Sequence, residues 1–343
     1  MTQVQAAAVV LWLGVTAYAV FGGADFGAGF WDLAAGGSER GLRPRELIAD
    51  AIGPVWEANH TWLIFDLVIL WTAFPPAFAA IMSTLFIPLS LAAAGIVLRG
   101  AAFAFRPVAT GLRDRRAAGA VFAASSVITP FFLGAAGGAI ASGRVPAGNA
   151  AGDPITSWLN PTSVLIGILA ISTCAYLAAV FLVADAHRRA DPELVEYFRR
   201  RATLAAVVTG ALAITGIGVL RADAPALADE LIRRGWPLIA ASGALGTSAL
   251  VLIRRGRPRL TRALAAGAVV AIVWGWGVAQ YPAVLPGSLS LTDAAAPDGA
   301  LGSLIVVFVV AALVIGPSLA FLYRLDERGR LVGHGVGSDS ATD

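Results

Sequence analysis

The stretch TSVLIGILAISTCAYLAAVFLVAD, residues 162–185, contains no basic residue, and its only acid is the last residue, Asp185. A bilayer core about 30 Å thick takes roughly 20 mostly apolar residues in helical form, so this run reads as a membrane span. Runs of the same character recur at 4–34, 47–74, 76–104, 117–141, 202–220, 236–253, 261–282 and 300–323. The pattern predicts an all-α polytopic membrane protein of about nine spans, with two four-helix bundles plus one peripheral helix as the simplest arrangement. Composition agrees. Of 343 residues, 57% are hydrophobic and 14% charged, with mean hydropathy +0.75, where a soluble domain carries about 25% charge. A soluble enzyme and a disordered chain are both excluded. Loops are short, so residues 1–328 read as one transmembrane domain and 329–343 as a flexible polar tail.

All 25 basic residues are arginine, and they sort by loop. One side of the membrane takes Arg40, Arg43 and Arg45, five from Arg99 to Arg116, five from Arg188 to Arg201, five from Arg254 to Arg262, and three from Arg324 to Arg330. The other side takes only Arg144, Arg221, Arg233 and Arg234. Arginine marks the cytoplasmic side, which predicts an outer N-terminus and a cytoplasmic C-terminus. Met1 to Ala8 has no basic residue, so the first span does not read as a cleaved signal peptide.

Acids inside spans are costly and point to function. They gather in the first two spans: Asp25, Asp32, Asp50, Glu57 and Asp66, with the imidazole of His60 among them. At 100° per residue a seven-residue spacing returns to the same stripe, which pairs Asp25 with Asp32 and Asp50 with Glu57. His60 falls near the second stripe, and Asp66 points about 180° away. The topology puts Asp25 and Asp32 toward the cytoplasmic end and Glu57 near mid-membrane, a descending ladder suited to delivering protons. The plainer alternative is that each acid pairs with Arg99, Asn59 or a backbone amide and only holds helices together.

Other chemistries lack their residues. Glu57-Ala58-Asn59-His60 has the spacing of a di-iron ligand pair, but the second such motif is missing. His60 is the only histidine within a span, which rules out bis-histidine haem ligation by this chain and leaves only a single-histidine haem open. The glycine-rich stretch Gly22 to Gly29 follows no strand, so it reads as a helix-packing surface around Asp25 and not as a phosphate loop. Cys174 is a lone small residue in an apolar run, and nothing supports nucleic acid binding.

Taken in order, several motifs resemble subunit II of the cytochrome bd quinol oxidases of bacterial respiratory chains. They are Gly23-Ala24-Asp25-Phe26-Gly27-Ala28-Gly29, then Pro54-Val55-Trp56-Glu57-Ala58-Asn59-His60-Thr61-Trp62-Leu63, Ala73-Phe74-Pro75, Leu98 to Arg106, Tyr176 to Ala179, Gln280-Tyr281-Pro282 and Ser290 to Ala295. The resemblance implies a haem-free subunit in the bacterial plasma membrane. Its partner, subunit I, would carry the two b-type haems, haem d and the quinol-oxidising loop. It also implies that Glu57 belongs to a proton route and that Asp25 lies in the same region, which agrees with the ladder read from spacing; the expected path is Glu57, Asp25, Asp50, Asp32 and His60, with Asn59, Trp56, Arg99 and Arg106 in support. No metal or cofactor is expected in this chain. A structural quinone, membrane lipid and a small single-span accessory subunit are further expected partners. Gly22 and Ala24 stand where many relatives have an acid and an aromatic residue. A proton-coupled transporter and a purely structural scaffold remain the alternatives.

Overall fold

Asn160 and Pro161 set the start of α8 (Pro161–Arg188). The Asn160 side chain accepts a hydrogen bond from the Ser163 N–H at 3.0 Å, and Pro161 forfeits no bond at the first helical position. The computed structural model containing this helix describes residues 1–37, 40–53, 56–105 and 111–327. Arg106 and the 329–343 tail lie outside the described residues. From Cys174 to Ala186 nearly every side chain of α8 is buried, as expected of a helix apolar all round.

The first span is one long element. α1 (Gln3–Ala17) passes through a single π turn at Tyr18–Gly22 into α2 (Gly23–Leu33). The glycines of α2 allow it to lie against its neighbours. A Cβ on Gly27 would stand 1.8 Å from the Cys174 carbonyl oxygen, and one on Gly29 would stand 2.1 Å from Ser126 Oγ. Trp31 Nε1 donates to the Ala175 carbonyl at 2.7 Å and locks the α2–α8 contact.

The next two expected spans are each interrupted. Residues 47–74 do not form one helix: α3 (Leu42–Ile52) ends at Gly53 and α4 begins anew (Trp56–Ala73). Gly53 caps α3, its N–H closing on the Ala49 carbonyl, and glycine is a poor residue with which to continue a helix. α3 buries Pro44, Leu47, Ile48 and Ile52 and exposes Arg43, Glu46 and Asp50, so it covers the bundle end as an amphipathic helix. Residues 76–104 divide into α5 (Pro75–Thr84) and α6 (Phe86–Phe105). Pro88 explains that break, since its ring excludes the carbonyl four residues earlier, at Thr84.

The remaining helices are α7 (Leu112–Ala141), α9 (Pro192–Asp223), α10 (Pro225–Glu230), α11 (Trp236–Ile253), α12 (Pro258–Gln280) and α13 (Asp298–Glu327). A second π turn, Leu231–Gly235, joins α10 to α11. Between α12 and α13 stands a short antiparallel hairpin of β1 (Ala283–Leu285) and β2 (Leu289–Ser290). Among the described residues, eight helices are long and apolar enough to cross a membrane. α4, which contains Glu57, Asn59, His60 and Asp66, is not among them.

Ion pairs tie the loops into two opposite ends. At one end Arg43 meets Asp191 and Glu193 at 2.5 Å each, Arg189 meets Asp50, and Arg262 lies 3.8 Å from Asp185. Asp191 also caps α9, and the Leu194 N–H and Arg43 hold its carboxyl below the usual carboxylate range. At the other end Arg144 pairs with Asp223 at 2.7 Å, which also accepts from the Thr162 hydroxyl at 2.6 Å. Arg234 there donates to the Tyr281 carbonyl at 2.6 Å. The arginine-rich loops thus meet one another, and the arginine-poor loops meet one another.

Gly27→Ala should prevent α2 from docking on α8, because the clash is with backbone and not with a flexible side chain. The expected outcome is little folded protein recovered from membranes by size-exclusion chromatography. Normal yield with an unchanged thermal midpoint would contradict the packing.

Candidate functional site

Asp25 sits on the inner face of α2 and Arg99 on that of α6, each 1% exposed at the side chain. Arg99 Nη1 donates to Asp25 Oδ2 at 3.0 Å, and Nη2 donates to Oδ1 at 2.8 Å and to the Asp25 main-chain carbonyl at 3.0 Å. The fork is completed by Arg99 Nε, which donates to Ser126 Oγ on α7 at 3.0 Å; that hydroxyl in turn donates to the Phe122 carbonyl at 2.7 Å. The rings of Phe26 and Phe122 lie 5.1 Å and 4.9 Å from the guanidinium carbon. This is the geometry a buried ion pair needs: bidentate, with each guanidinium nitrogen donating at least one hydrogen bond and the cation held by aromatic rings.

His60 on α4 stands beside the pair, its Nε2 4.0 Å from Asp25 Oδ2. Its ring is held among Phe26, Tyr18 and Trp56 at centroid distances of 5.6, 6.2 and 6.2 Å. Trp56 also packs on Phe103 of α6 at 5.6 Å, and Asn59 is buried on the same helix. A cavity of about 100 Å³ reaches from Asp25 and Asn59 to Asp185, Arg188 and Arg262 at the arginine-rich end. Its remaining wall includes the small side chains Ala24, Ala28, Ala51 and Ala178.

The sequence-derived ladder is only partly assembled. Asp25 and Asp32 do share a buried stripe, and Arg45 Nε lies 3.6 Å from Asp32 Oδ1. Asp25 and His60 are brought together. Asp50 is exposed on α3, where it pairs with Arg189. Its shared stripe with Glu57 does not exist, because the helix breaks between them. For the same reason Glu57 stands in the first turn of α4, and its side chain is exposed. Arg99, counted above with a loop, lies inside α6. Asp66 faces away from Glu57, as the half-turn offset requires: a Cβ on Gly14 of α1 would stand 2.0 Å from its Oδ1. Sequence reasoning did not single out Ser126, Phe122 or Tyr18. Of these only Tyr18 left a trace, lying seven residues before Asp25 and so on its stripe. Among the described residues, no cluster of three or more His, Cys, Asp or Glu is arranged to hold a metal ion.

Removing one member of the buried pair should be worse than removing both. Arg99→Leu leaves the Asp25 carboxylate buried without its cation and should cost about 3–5 kcal/mol. Asp25→Leu combined with Arg99→Leu should recover much of that loss in thermal unfolding of the solubilised protein. Equal loss in the single and double variants would show that the pair is not the coupled unit the geometry implies.

Residues 3–326 match the family described as cytochrome bd terminal oxidase subunit II. The chain is 25% identical to the cytochrome bd-I ubiquinol oxidase subunit 2 of Escherichia coli K12, over 89% of each chain. It is 33% identical to the cytochrome bd ubiquinol oxidase subunit 2 of Bacillus subtilis, over 33% of this chain and 32% of that one. In structure it is similar to a chain of the bd oxidase from Geobacillus thermodenitrificans, with TM-score 0.75 and 25% identity, covering 95% of this chain and 98% of that chain. The chain therefore belongs to the cytochrome bd terminal oxidase subunit II family, membrane proteins that are subunits of a quinol-oxidising oxidoreductase complex.

Proposed function

We propose that this chain is the haem-free partner of a haem-bearing subunit I, and that it passes protons from the cytoplasm toward the site of dioxygen reduction. The observation that carries this reading is the position of Glu57. It is exposed on α4 in line with Thr61, Ile64, Val68 and Trp71, also exposed, while Asn59 and His60 beside it reach the buried Asp25–Arg99 pair. A carboxylate on an apolar outward face is costly against lipid and is relieved if a partner subunit covers it. Subunit I is that partner in this reading. It holds the b-type haems and haem d, which supply the electron transfer from quinol to dioxygen.

The role of this chain's own residues follows from the geometry. The cavity between Asp185 and Asp25 has volume for several waters and opens at the arginine-rich end. Protons enter there as hydrated species and meet Asp25, whose charge Arg99 balances. They continue past His60 and Asn59 to Glu57, which hands them across the interface. Asp32 and Asp50, each beside an arginine, shape the field at the mouth. His60 is suited to this role and poorly placed for haem ligation, since aromatic rings enclose it and its Nε2 faces Asp25. Nine crossings with an outer N-terminus and a cytoplasmic C-terminus fit the gathering of arginines at one end. Lipid, a structural quinone and a single-span accessory subunit are the further partners. The exposed Val306, Val310 and Leu313 of α13 provide a face for a membrane-embedded neighbour.

Glu57→Gln in the assembled two-subunit complex tests the route. Oxygen consumption and proton uptake should both fall by roughly tenfold or more, with haem content unchanged. Wild-type rates with normal haem would reduce this chain to a scaffold.

A further inference from the structure

Four buried polar atoms on the first span and α4 make no hydrogen bond to the protein: Tyr18 Oη, His60 Nδ1, Trp62 Nε1 and Asp66 Oδ1. They are related by helical geometry. Gly14 and Tyr18 follow one stripe of the first span, and Asn59, Trp62 and Asp66 follow one stripe of α4. Asp66 reaches into the notch left by Gly14, where a Cβ would stand 2.0 Å from its Oδ1 and 2.6 Å from the Phe65 ring. The Tyr18 ring lies 6.2 Å from that of His60.

Among the described residues no cation is placed to neutralise Asp66. The first span brings Tyr18 and Asp25 to this side of α4, α4 itself brings His60 while Glu57 points away, and α6 brings Arg99, which is already committed to Asp25. α12 has no ionisable residue between Arg262 and Tyr281, and α13 has none between Asp298 and Tyr323. The buried Asp66 Oδ1, which has no donor, needs either water or the carboxyl's own proton. Several such orphaned atoms together mark an internal water site. His60 joins this site to the ion pair: Nε2 looks toward Asp25 at 4.0 Å, while Nδ1 on the other side of the ring has no partner. Beyond Asp66 the way is closed by buried Val10 and Ala7 of α1 and by Ile69 and Ala73 of α4.

We propose that Tyr18, His60, Trp62 and Asp66 line an internal water-holding pocket, and that the Asp66 carboxyl is a proton store joined to Asp25 through His60. Loading is a proton transfer alone. An O–H bond of a protonated pocket water breaks, an O–H bond forms on Asp66, and no electron moves. Because the file is closed beyond Asp66, the proton leaves by the way it came. The store therefore buffers the route and does not leak charge across the membrane. This inference rests on the proton route proposed above, and its test separates the two.

The assembled two-subunit oxidase would be compared as wild type, Asp66→Asn and Tyr18→Phe, with haem spectra confirming assembly. The readouts are redox-induced infrared difference spectra in H₂O and D₂O and proton uptake on reduction. Asp66→Asn should lose a deuterium-sensitive carboxylic C=O band and take up fewer protons per complex. Tyr18→Phe should keep the band, with uptake slowed by roughly tenfold. Gly14→Ala, which must displace the Asp66 carboxyl, should shift the band and serves if Asp66→Asn does not assemble. An unchanged carboxyl region and proton count in Asp66→Asn, or an unshifted band in Gly14→Ala, would overturn the store. A band lost in Asp66→Asn while Glu57→Gln has no effect would remove the exit through Glu57 and leave the store standing.

Discussion

An arginine and an aspartate, each 1% exposed, face one another through two hydrogen bonds inside an apolar bundle. Neither charge could be held there alone, because an unpaired buried ion costs several kcal/mol or more. The requirement propagates outward. α2 and α6 must bring the two groups together, and α7 must supply Ser126 for the third guanidinium nitrogen. Phe26 and Phe122 lie against the cation, and glycines at 27 and 29 let α2 approach α8 and α7 closely enough for these contacts to form. The π turn at Tyr18–Gly22 lies immediately before this packed segment and adjusts the register of the first span between its two halves.

The pair also decides where chemistry can occur. His60 and Asn59 come to it from α4, a cavity comes to it from the arginine-rich end, and Glu57 leaves from it toward the outer face. A polar cluster in a membrane protein is costly everywhere except where water or a partner relieves it. Here one relief is the cavity, and the proposed other is a partner subunit over the exposed face of α4.

Much of the architecture was legible in the sequence, for physical reasons. Apolar runs such as 236–253 coincide with α11 residue for residue, because a membrane span is dictated by length and hydropathy together. The shared stripe of Asp25 and Asp32 survived because α2 is regular across both. The stripe of Asp50 and Glu57 did not, because the two acids belong to separate helices, α3 and α4, and periodicity does not carry from one helix to the next. The same break puts Glu57 in the first turn of α4. Arg99 stood among the named pairing partners, yet sequence had counted it with a loop, since the C-terminal end of α6 and a loop look alike by composition. Ser126 and Phe122 left no local signal; their part in the site exists only once α7 lies against α6.

The central claim is that the polar end of α4 serves as the meeting point of this chain with the haem-bearing subunit. Determining the structure of the assembled complex in lipid at a resolution that shows side chains tests it directly. The account predicts Glu57 covered by subunit I, with water between it and the Asp25–Arg99 pair. Glu57 facing lipid, with subunit I seated on another helix, would contradict it.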